Sequence, residues 1–324
     1  MTDSEKNTSV RERLVASAKA VIPSTTKTCI WLLKLTVGVS FLMMLLKYFN
    51  ILPVISAWIS PLFSHFGLPG SAALAYVTGY FVNCYSAMAI FPALGLDTRA
   101  ATILATMVLC SHSMIVETAV LKKTGMPVWR VVLVRTLGAV ILGLALNRIL
   151  PGQPVGIVDA AAAPWELSFA ETLRDWAVAT IKLVLLMIVI IYSLNILQRI
   201  LSDFGIMRVI AALFRPLMYI FGLPAHCAFM WIVANGVGLA YGAAAMLDEM
   251  GRGDLSRRDI LLTDSHIAVC HSNVEDLLLF TALGGVWWIM LLARLALAMV
   301  LVWFQRLEFL IIDALSRKNS KLAG

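Results

Sequence analysis

The sequence contains few charged residues. Asp, Glu, Lys and Arg make up 14% of its 324 residues, whereas 60% are hydrophobic and the mean hydropathy is +0.87. In soluble globular domains about a quarter of the residues are charged, so this composition excludes that class. Several windows hold the roughly 20 apolar residues needed to cross the hydrocarbon core of a bilayer. The composition therefore predicts a polytopic α-helical membrane protein.

The sequence also lacks the short motifs of nucleotide-driven pumps and hydrolases. No P-loop, GxSxG elbow or HExxH helix is present, so neither ATP-driven pumping nor hydrolysis is indicated. We expect a protein that is not an enzyme and has no cofactor. Its five cysteines lie within or beside apolar segments, which argues against a disulfide framework.

The net charge of +7 does not indicate a nucleic-acid partner, because the basic residues follow the positive-inside rule. They lie mostly at the ends of apolar segments, at Arg11, Arg13, Lys19, Lys27, Lys122, Lys123, Arg130, Arg252, Arg257, Arg258, Arg306, Arg317, Lys318 and Lys321. Residues 149–176, by contrast, contain one basic residue, Arg174. We predict cytoplasmic amino and carboxyl termini and a location in the cytoplasmic (inner) membrane. No cleavable signal peptide is expected, since the first 28 residues are polar.

The predicted fold is an all-α polytopic membrane protein with about 8–10 transmembrane or re-entrant helices. Apolar windows predict spans near 29–47, 71–93, 100–121, 129–148, 177–197, 225–247, 259–282 and 286–305. The shorter stretches 52–66 and 205–220 fit short spans, re-entrant segments or interfacial helices.

The two halves of the sequence repeat one another. A shift of 159 residues aligns His112 with His271 and Glu117 with Asp276. Residues 61–69 and 216–224 share Pro, Leu, Phe, Gly, Leu and Pro at a shift of 155, so about four extra residues lie in the second half, near 248–253. The predicted organisation is a cytoplasmic arm (1–27), repeat 1 (28–148), an extracytoplasmic linker (149–176), repeat 2 (177–306) and a cytoplasmic tail (307–324).

If the 52–66 segment crosses the membrane, each repeat crosses five times and the two repeats have opposite orientations. Inverted repeats of this kind hold the substrate of many secondary transporters near the bilayer midplane.

Each repeat carries ionisable residues in the middle of an apolar window, where they are costly and usually functional. His, Cys and carboxylate groups together bind cations such as Fe²⁺, Mn²⁺, Co²⁺ or Zn²⁺. The predicted binding residues are His112, Glu117, His271, Glu275 and Asp276, assisted by Cys110, Cys270, His266, Asn273, Ser113 and Ser272.

Helical spacing predicts how these residues are arranged. On a continuous helix, His266, Cys270 and Asn273 share one face, and His271 and Glu275 share another. Likewise Ser113 and Glu117 in the first half correspond to Ser272 and Asp276 in the second.

Two segments rich in small and polar residues, 79–86 and 235–242, predict broken helices whose carbonyls face a cavity. We expect Asn83 and Asn235 to contribute ligands there. The alternative is close packing of small residues between helices.

Arg135 and Arg294 occupy equivalent positions in the last span of each repeat. They either pair with the acidic residues or bind an anionic substrate. The second option describes a transporter for a nucleoside or small organic anion. A third alternative is a non-transporting assembly or signalling protein, in which the His–acid pairs are buried structural networks.

Across about residues 28–306 the chain resembles the Gate, or "nucleoside recognition", membrane family. The resemblance rests on the Phe-Gly-Leu-Pro turn, the Gly/Asn-rich broken helix and the His-Ser…Glu helix. It implies inverted Gate repeats around a central substrate path in the cytoplasmic membrane of a prokaryote. Gate modules also form the membrane part of FeoB-type ferrous-iron transporters, and concentrative nucleoside transporters are considered distant relatives.

The chain departs from the iron transporters, since the 28 residues before the first span cannot hold a GTPase domain. Coupling is then expected from an ion gradient, from a separate energising partner, or not at all. Taken together, the sequence predicts a transporter or permease that moves a small charged solute, first of all a divalent metal cation. Its expected partners are the lipid bilayer and the solute, and a homo-oligomer is an open alternative.

Overall fold

The computed structural model describes residues 9–152, 168–253 and 255–322, and every extended regular element among them is helical. The helices are α1 (Val10–Tyr48), α2 (Ile51–Phe63), α3 (Ala72–Phe81), α4 (Cys84–Leu94), α5 (Thr98–Ser111), α6 (Met114–Thr124), α7 (Val128–Ile149), α8 (Phe169–Asp203), α9 (Ile206–Phe221), α10 (Ala228–Gly236), α11 (Leu239–Arg252), α12 (Arg257–Ile267), α13 (Glu275–Ala282) and α14 (Trp287–Leu322). The all-α membrane fold expected from the sequence is confirmed. Most of the predicted linker lies outside the described residues.

Helices α1–α7 and α8–α14 follow the same order. Each series has a long helix, a helix of 13 or 16 residues, two pairs of short helices and a second long helix. The extra residues of the second half lie mainly in α11, which has 14 residues against 11 in α4. Which side of the membrane each series enters from stays a prediction.

The shared Phe-Gly-Leu-Pro sequence forms the turn after α2 and after α9. Its glycines, Gly67 and Gly222, have φ angles of +66° and +73°, in the left-handed region that favours glycine. A Cβ atom at Gly67 would also clash with the side chain of Asn147 on α7. The turn therefore requires glycine for both backbone and packing reasons.

Within the described residues, four long helices have the length and apolar composition to cross a membrane. They are α1, α7, α8 and α14, and the pair α5 and α6, bent by 42°, makes a fifth if counted as one span. Their outward faces present apolar side chains such as Ile141, Leu185 and Val300, each more than half exposed. These side chains suit contact with lipid, and the chain is a multi-pass membrane protein.

Four of the predicted spans are not continuous helices. The windows 71–93, 100–121, 225–247 and 259–282 each contain two short helices. The sequence predicted the breaks in the first and third windows, but not those in the second and fourth. Because α12 ends at Ile267, the expected helical face of His266, Cys270 and Asn273 does not exist.

The short helices exchange partners between the two halves. Leu121 of α6 belongs to the apolar core built mainly by α9–α12, whereas Leu277 and Phe280 of α13 belong to the core built mainly by the first half. Helix α6 accordingly packs on α11, and α13 contacts α4. This exchange brings the breaks of α5–α6 and α12–α13 together in the interior.

Candidate functional site

Each helix break is stabilised by the break that it crosses. The Ser113 N–H, between α5 and α6, donates to the Gly79 carbonyl at 2.9 Å, and Ser272 N–H donates to the Ala234 carbonyl at 3.3 Å. Ser113 and Ser272 have φ angles of +48° and +50°, so both turns pass through the left-handed region. At membrane depth every backbone polar group needs a partner, and crossing the two breaks supplies one.

Two buried arginines bind the carbonyl groups that the breaks leave free. Arg135 donates to the carbonyls of Cys110 (3.2 Å) and His112 (2.8 Å). Arg294, its equivalent in the second half, donates to the carbonyls of Val269 (3.0 Å) and His271 (2.7 Å). Both arginines are 0% exposed. They therefore replace the helical hydrogen bonds that end where α5 and α12 end.

The arginines differ in their remaining contacts. Arg135 Nη2 lies 2.5 Å from Glu117 Oε2, which is a charged pair of the kind that the sequence predicted. Arg294 Nη1 instead donates to Asn273 Oδ1 at 2.9 Å. One arginine thus neutralises a carboxylate of the site, and the other holds a neutral amide.

Histidines from both halves meet at Glu117. Its Oε1 atom lies 3.1 Å from His112 Nε2 and 3.2 Å from His271 Nε2, and the two imidazole rings are 5.2 Å apart between centroids. Asp276 Oδ2 lies 3.6 Å from His112 Nε2. Ligand atoms that share a metal ion at about 2.0–2.2 Å are roughly 3–4 Å apart, so these separations suit a common cation.

The orientation of both imidazoles is set by backbone carbonyls. His112 Nδ1 lies 3.2 Å from the Val108 carbonyl oxygen, and His271 Nδ1 lies 2.6 Å from that of Ile267. A carbonyl oxygen can only accept, so Nδ1 carries a proton in each ring. In a neutral imidazole Nε2 then presents a lone pair, and both Nε2 atoms face a carboxylate oxygen. Three electron-pair donors pointing at one another require a cation between them, either a proton or a metal ion.

Cys84 is a member of the cluster that sequence reasoning missed. Its Sγ lies 3.3 Å from Asp276 Oδ1, and a ligand atom from each of Cys84, His112 and Asp276 lies within 4.8 Å of the others. A second such group is His112, Glu117 and His271. The sequence feature that could have identified Cys84 is its position directly after Asn83, at the break between α3 and α4.

Glu275 lies beside this cluster without joining either group of ligand atoms. The Tyr85 hydroxyl, on α4, donates a hydrogen bond to its carboxylate. Tyr85 was not among the predicted site residues. The contact ties α4 to the first turn of α13, where Asp276 follows Glu275.

The predicted asparagine ligands instead position the backbone. Asn83 Oδ1 accepts from the Ser86 N–H at 2.9 Å and caps α4. Asn235 donates to the Trp231 carbonyl and accepts from Asn273 Nδ2 at 2.5 Å. Their oxygens accept hydrogen bonds within the protein, and their role as ligands stays a prediction.

Three other predicted ligands also lie outside the two groups. Cys110 Sγ contacts the Arg135 carbonyl at 3.7 Å, and Cys270 Sγ accepts from Asn273 Nδ2 at 3.2 Å. His266 accepts from the Trp231 indole N–H at 3.1 Å. Its ring also packs 4.9 Å from that of Phe221, so His266 belongs to an aromatic cluster.

Comparison with known proteins agrees with this architecture. The Gate family model, described as "Nucleoside recognition", matches residues 29–127. The chain is similar to YvoD, an uncharacterized membrane protein of Bacillus subtilis (strain 168), with 29% identity over 275 residues that cover 83% of this chain and 87% of YvoD. No solved structure matches it significantly. The chain is a transporter-like, multi-pass membrane protein, and its residues 29–127 match the Gate family model.

Proposed function

We propose that this protein transports a divalent metal cation, which it binds as substrate between the two histidines. The arrangement of His112 Nε2, His271 Nε2 and Glu117 Oε1 carries the proposal. The three atoms come from both halves of the chain, and each Nε2 atom lies within 3.2 Å of Glu117 Oε1. When the rings are neutral, none of the three atoms carries a proton to donate. A divalent cation supplies the positive charge that this geometry requires.

The ligand types narrow the class of cation. Two imidazoles with two carboxylates and a nearby thiol suit Fe²⁺, Mn²⁺, Co²⁺ or Zn²⁺ better than Ca²⁺ or Mg²⁺, which prefer oxygen ligands. Arg135 lowers the net negative charge by pairing with Glu117 Oε2. A partly neutralised, mixed ligand set holds a conducted ion weakly enough to release it.

The organic-anion alternative has less support from the same geometry. The guanidinium groups of Arg135 and Arg294 donate to backbone carbonyls, which leaves fewer N–H groups for an anion. A structural network of imidazolium and carboxylate groups is the competing explanation of the cluster, since a proton on Nε2 would satisfy the same lone pairs. Metal binding distinguishes the two.

The test is cation uptake into proteoliposomes containing the full-length protein. Proteoliposomes are loaded with a metal-sensitive dye and offered Fe²⁺, Mn²⁺, Co²⁺ and Zn²⁺ in turn. They contain wild type, His112→Ala, His271→Ala or the control His65→Ala. His65 is exposed in the turn after α2, so its removal leaves the cluster intact. We expect saturable uptake of at least one cation by wild type and control, and loss of at least about tenfold in each site variant, as removing one metal ligand implies.

Equal uptake by all four proteins, or no saturable binding of any of these cations by the wild type, would contradict the proposal. The buried cysteines provide the folding control, because a variant that unfolds exposes them to thiol reagents.

A further inference from the structure

A basic cavity lies beside α9, formed by residues other than the ligands of the proposed metal path. It has a volume of about 300 Å³, and its polar lining includes Arg208, Arg215, His226 and Glu249. The two arginines are seven residues apart on α9, so they lie on one helical face about 10 Å apart along the axis. Both side chains line the same cavity.

The guanidinium groups of Arg208 and Arg215 have no hydrogen bond or ion pair within the described part of the chain. Four other arginines near helix ends do have carboxylate partners: Arg130 pairs with Glu308, Arg199 with Asp203, Arg252 with Asp248 and Arg258 with Asp313.

The acidic groups near the cavity are already engaged. Glu249 is 3.8 Å from Arg252 Nη1, and His226 Nε2 is 3.4 Å from Asp259 Oδ2. Two guanidinium groups without partners therefore face one carboxylate in the cavity wall, which gives the site a net positive charge.

The other face of α9 is apolar and exposed. Val209, Leu213 and Ile220 are 68%, 76% and 60% exposed. With 16 residues, α9 is shorter than the roughly 20 needed to span a bilayer. An amphipathic helix of this kind lies at the membrane surface, with its apolar face towards the acyl chains and its basic residues near the headgroups.

The cavity also adjoins the loop that follows α11. Leu255 of this loop lines it. Arg252 ends α11, and Arg257 and Arg258 begin α12, so basic residues flank the loop and the positive-inside rule places it on the cytoplasmic side. The cytoplasmic leaflet has a negative surface potential from its anionic lipids.

The sequence of the first half has no equivalent pair of arginines. At a shift of 155 residues, the positions of Arg208 and Arg215 correspond to Pro53 and Ser60 of α2. The equivalent helix α2 therefore forms without these two arginines.

We propose that this cavity binds the phosphate group of an anionic membrane phospholipid. The planar guanidinium of arginine donates two parallel hydrogen bonds to phosphate oxygens, and two such groups line the cavity. The acyl chains of the lipid would lie along the exposed apolar face of α9. The Glu249 carboxylate repels the phosphate and weakens its binding, so removing this charge should raise the affinity.

The test measures lipid binding by the purified full-length protein, using native mass spectrometry and thermal unfolding in detergent at constant ionic strength. Phosphatidylglycerol, phosphatidylcholine and inorganic phosphate are added separately to wild type, Arg208→Gln/Arg215→Gln, Glu249→Gln and the control Arg199→Gln. Arg199 is exposed, pairs with Asp203 on α8 and lies outside the cavity lining.

We expect phosphatidylglycerol, but neither phosphatidylcholine nor millimolar inorganic phosphate, to bind and to raise the unfolding temperature. The double arginine variant should lose at least about tenfold in affinity for phosphatidylglycerol, since two charge-assisted contacts are removed. Glu249→Gln should bind more tightly, and Arg199→Gln should match the wild type.

Three results would overturn the proposal. Equal binding of phosphatidylglycerol by the double variant and by the control would exclude the cavity as the site. Equal effects of the two lipids would exclude recognition of the anionic headgroup. Protection by inorganic phosphate as strong as that by phosphatidylglycerol would assign the cavity to a soluble phosphate ligand.

Discussion

Replacing Arg294 by methionine tests whether a buried guanidinium holds the break between α12 and α13. Arg294 is 0% exposed and donates to the carbonyl oxygens of Val269 and His271 and to Asn273 Oδ1, at 3.0, 2.7 and 2.9 Å. Methionine fills most of the same volume but donates nothing. The substitution therefore leaves three buried acceptors to find new partners.

The expected loss follows from those acceptors. Leaving one buried acceptor unsatisfied costs about 1–3 kcal/mol, so three would cost roughly 3–9 kcal/mol with no relaxation. Part is recovered as the segment rearranges, and we expect a net loss of about 3–5 kcal/mol in the free energy of unfolding. Arg294→Lys should lose less stability than Arg294→Met, because the ammonium keeps a charged donor. It should still be less stable than the wild type, since an ammonium cannot match three acceptors as a planar guanidinium does.

The assay uses the cysteines. All five are buried, so a fluorogenic maleimide labels them only when the protein opens. We would record labelling during unfolding by SDS in mixed micelles for wild type, Arg294→Met, Arg294→Lys and Arg252→Met. Arg252 is exposed and pairs with an exposed carboxylate, so its removal should change stability little.

The order of midpoints is the decisive result. Arg294→Met should unfold at the lowest SDS fraction, Arg294→Lys above it, and Arg252→Met with the wild type. If Arg294→Met unfolds together with Arg252→Met, the argument that the guanidinium replaces lost helical hydrogen bonds is wrong.

Two further predictions concern packing and hydrogen bonding. A Cβ atom at Gly242 would lie 2.5 Å from Ala234 Cβ, whereas at Gly251 of the same helix it would meet nothing within 4 Å. Gly242→Ala should therefore destabilise the protein by about 1–3 kcal/mol, and Gly251→Ala should stabilise it slightly. Unfolding midpoints measure both effects, and equal midpoints would contradict the close approach of α10 and α11. The Thr124 hydroxyl lies 2.7 Å from the Leu121 carbonyl oxygen and 2.6 Å from Asp264 Oδ2. The hydroxyl has one proton and can donate it to only one of these oxygens. If it donates to the Leu121 carbonyl, the Asp264 carboxyl must carry a proton and donate it to the hydroxyl. Asp264→Asn, whose amide can donate, should therefore keep its stability within about 1 kcal/mol, while Asp264→Ala should lose more; an equal loss in both would refute a proton on Asp264.

Much of the architecture was predictable from local pattern. Long apolar windows predicted the long helices, since an apolar stretch of sufficient length has few alternatives to a membrane helix. The matched Phe-Gly-Leu-Pro segments predicted equivalent turns, and the structure has glycines with positive φ at both. The Gly/Asn-rich segments 79–86 and 235–242 contain the predicted breaks.

The breaks after Ser111 and Ile267 were not predictable in this way. Neither Ser113 nor Ser272 is a strong helix breaker, and both lie in apolar windows without proline or glycine at the break. Their left-handed backbone is stabilised by Arg135 and Arg294 and by carbonyls of the crossing helices. These partners are 21 or more residues away in sequence, so no local propensity contains them.

By itself the sequence determined the class of the protein, its internal repetition and the residue types of its central cluster, because composition and spacing are properties of the chain alone. The tertiary structure decided which of those residues meet. It joined His112, Glu117 and His271, added Cys84 beside Asp276, and assigned Asn83 to helix capping. The reason is geometric: the short helices exchange between the two cores, and that exchange brings the side chains of the central cluster together from both halves.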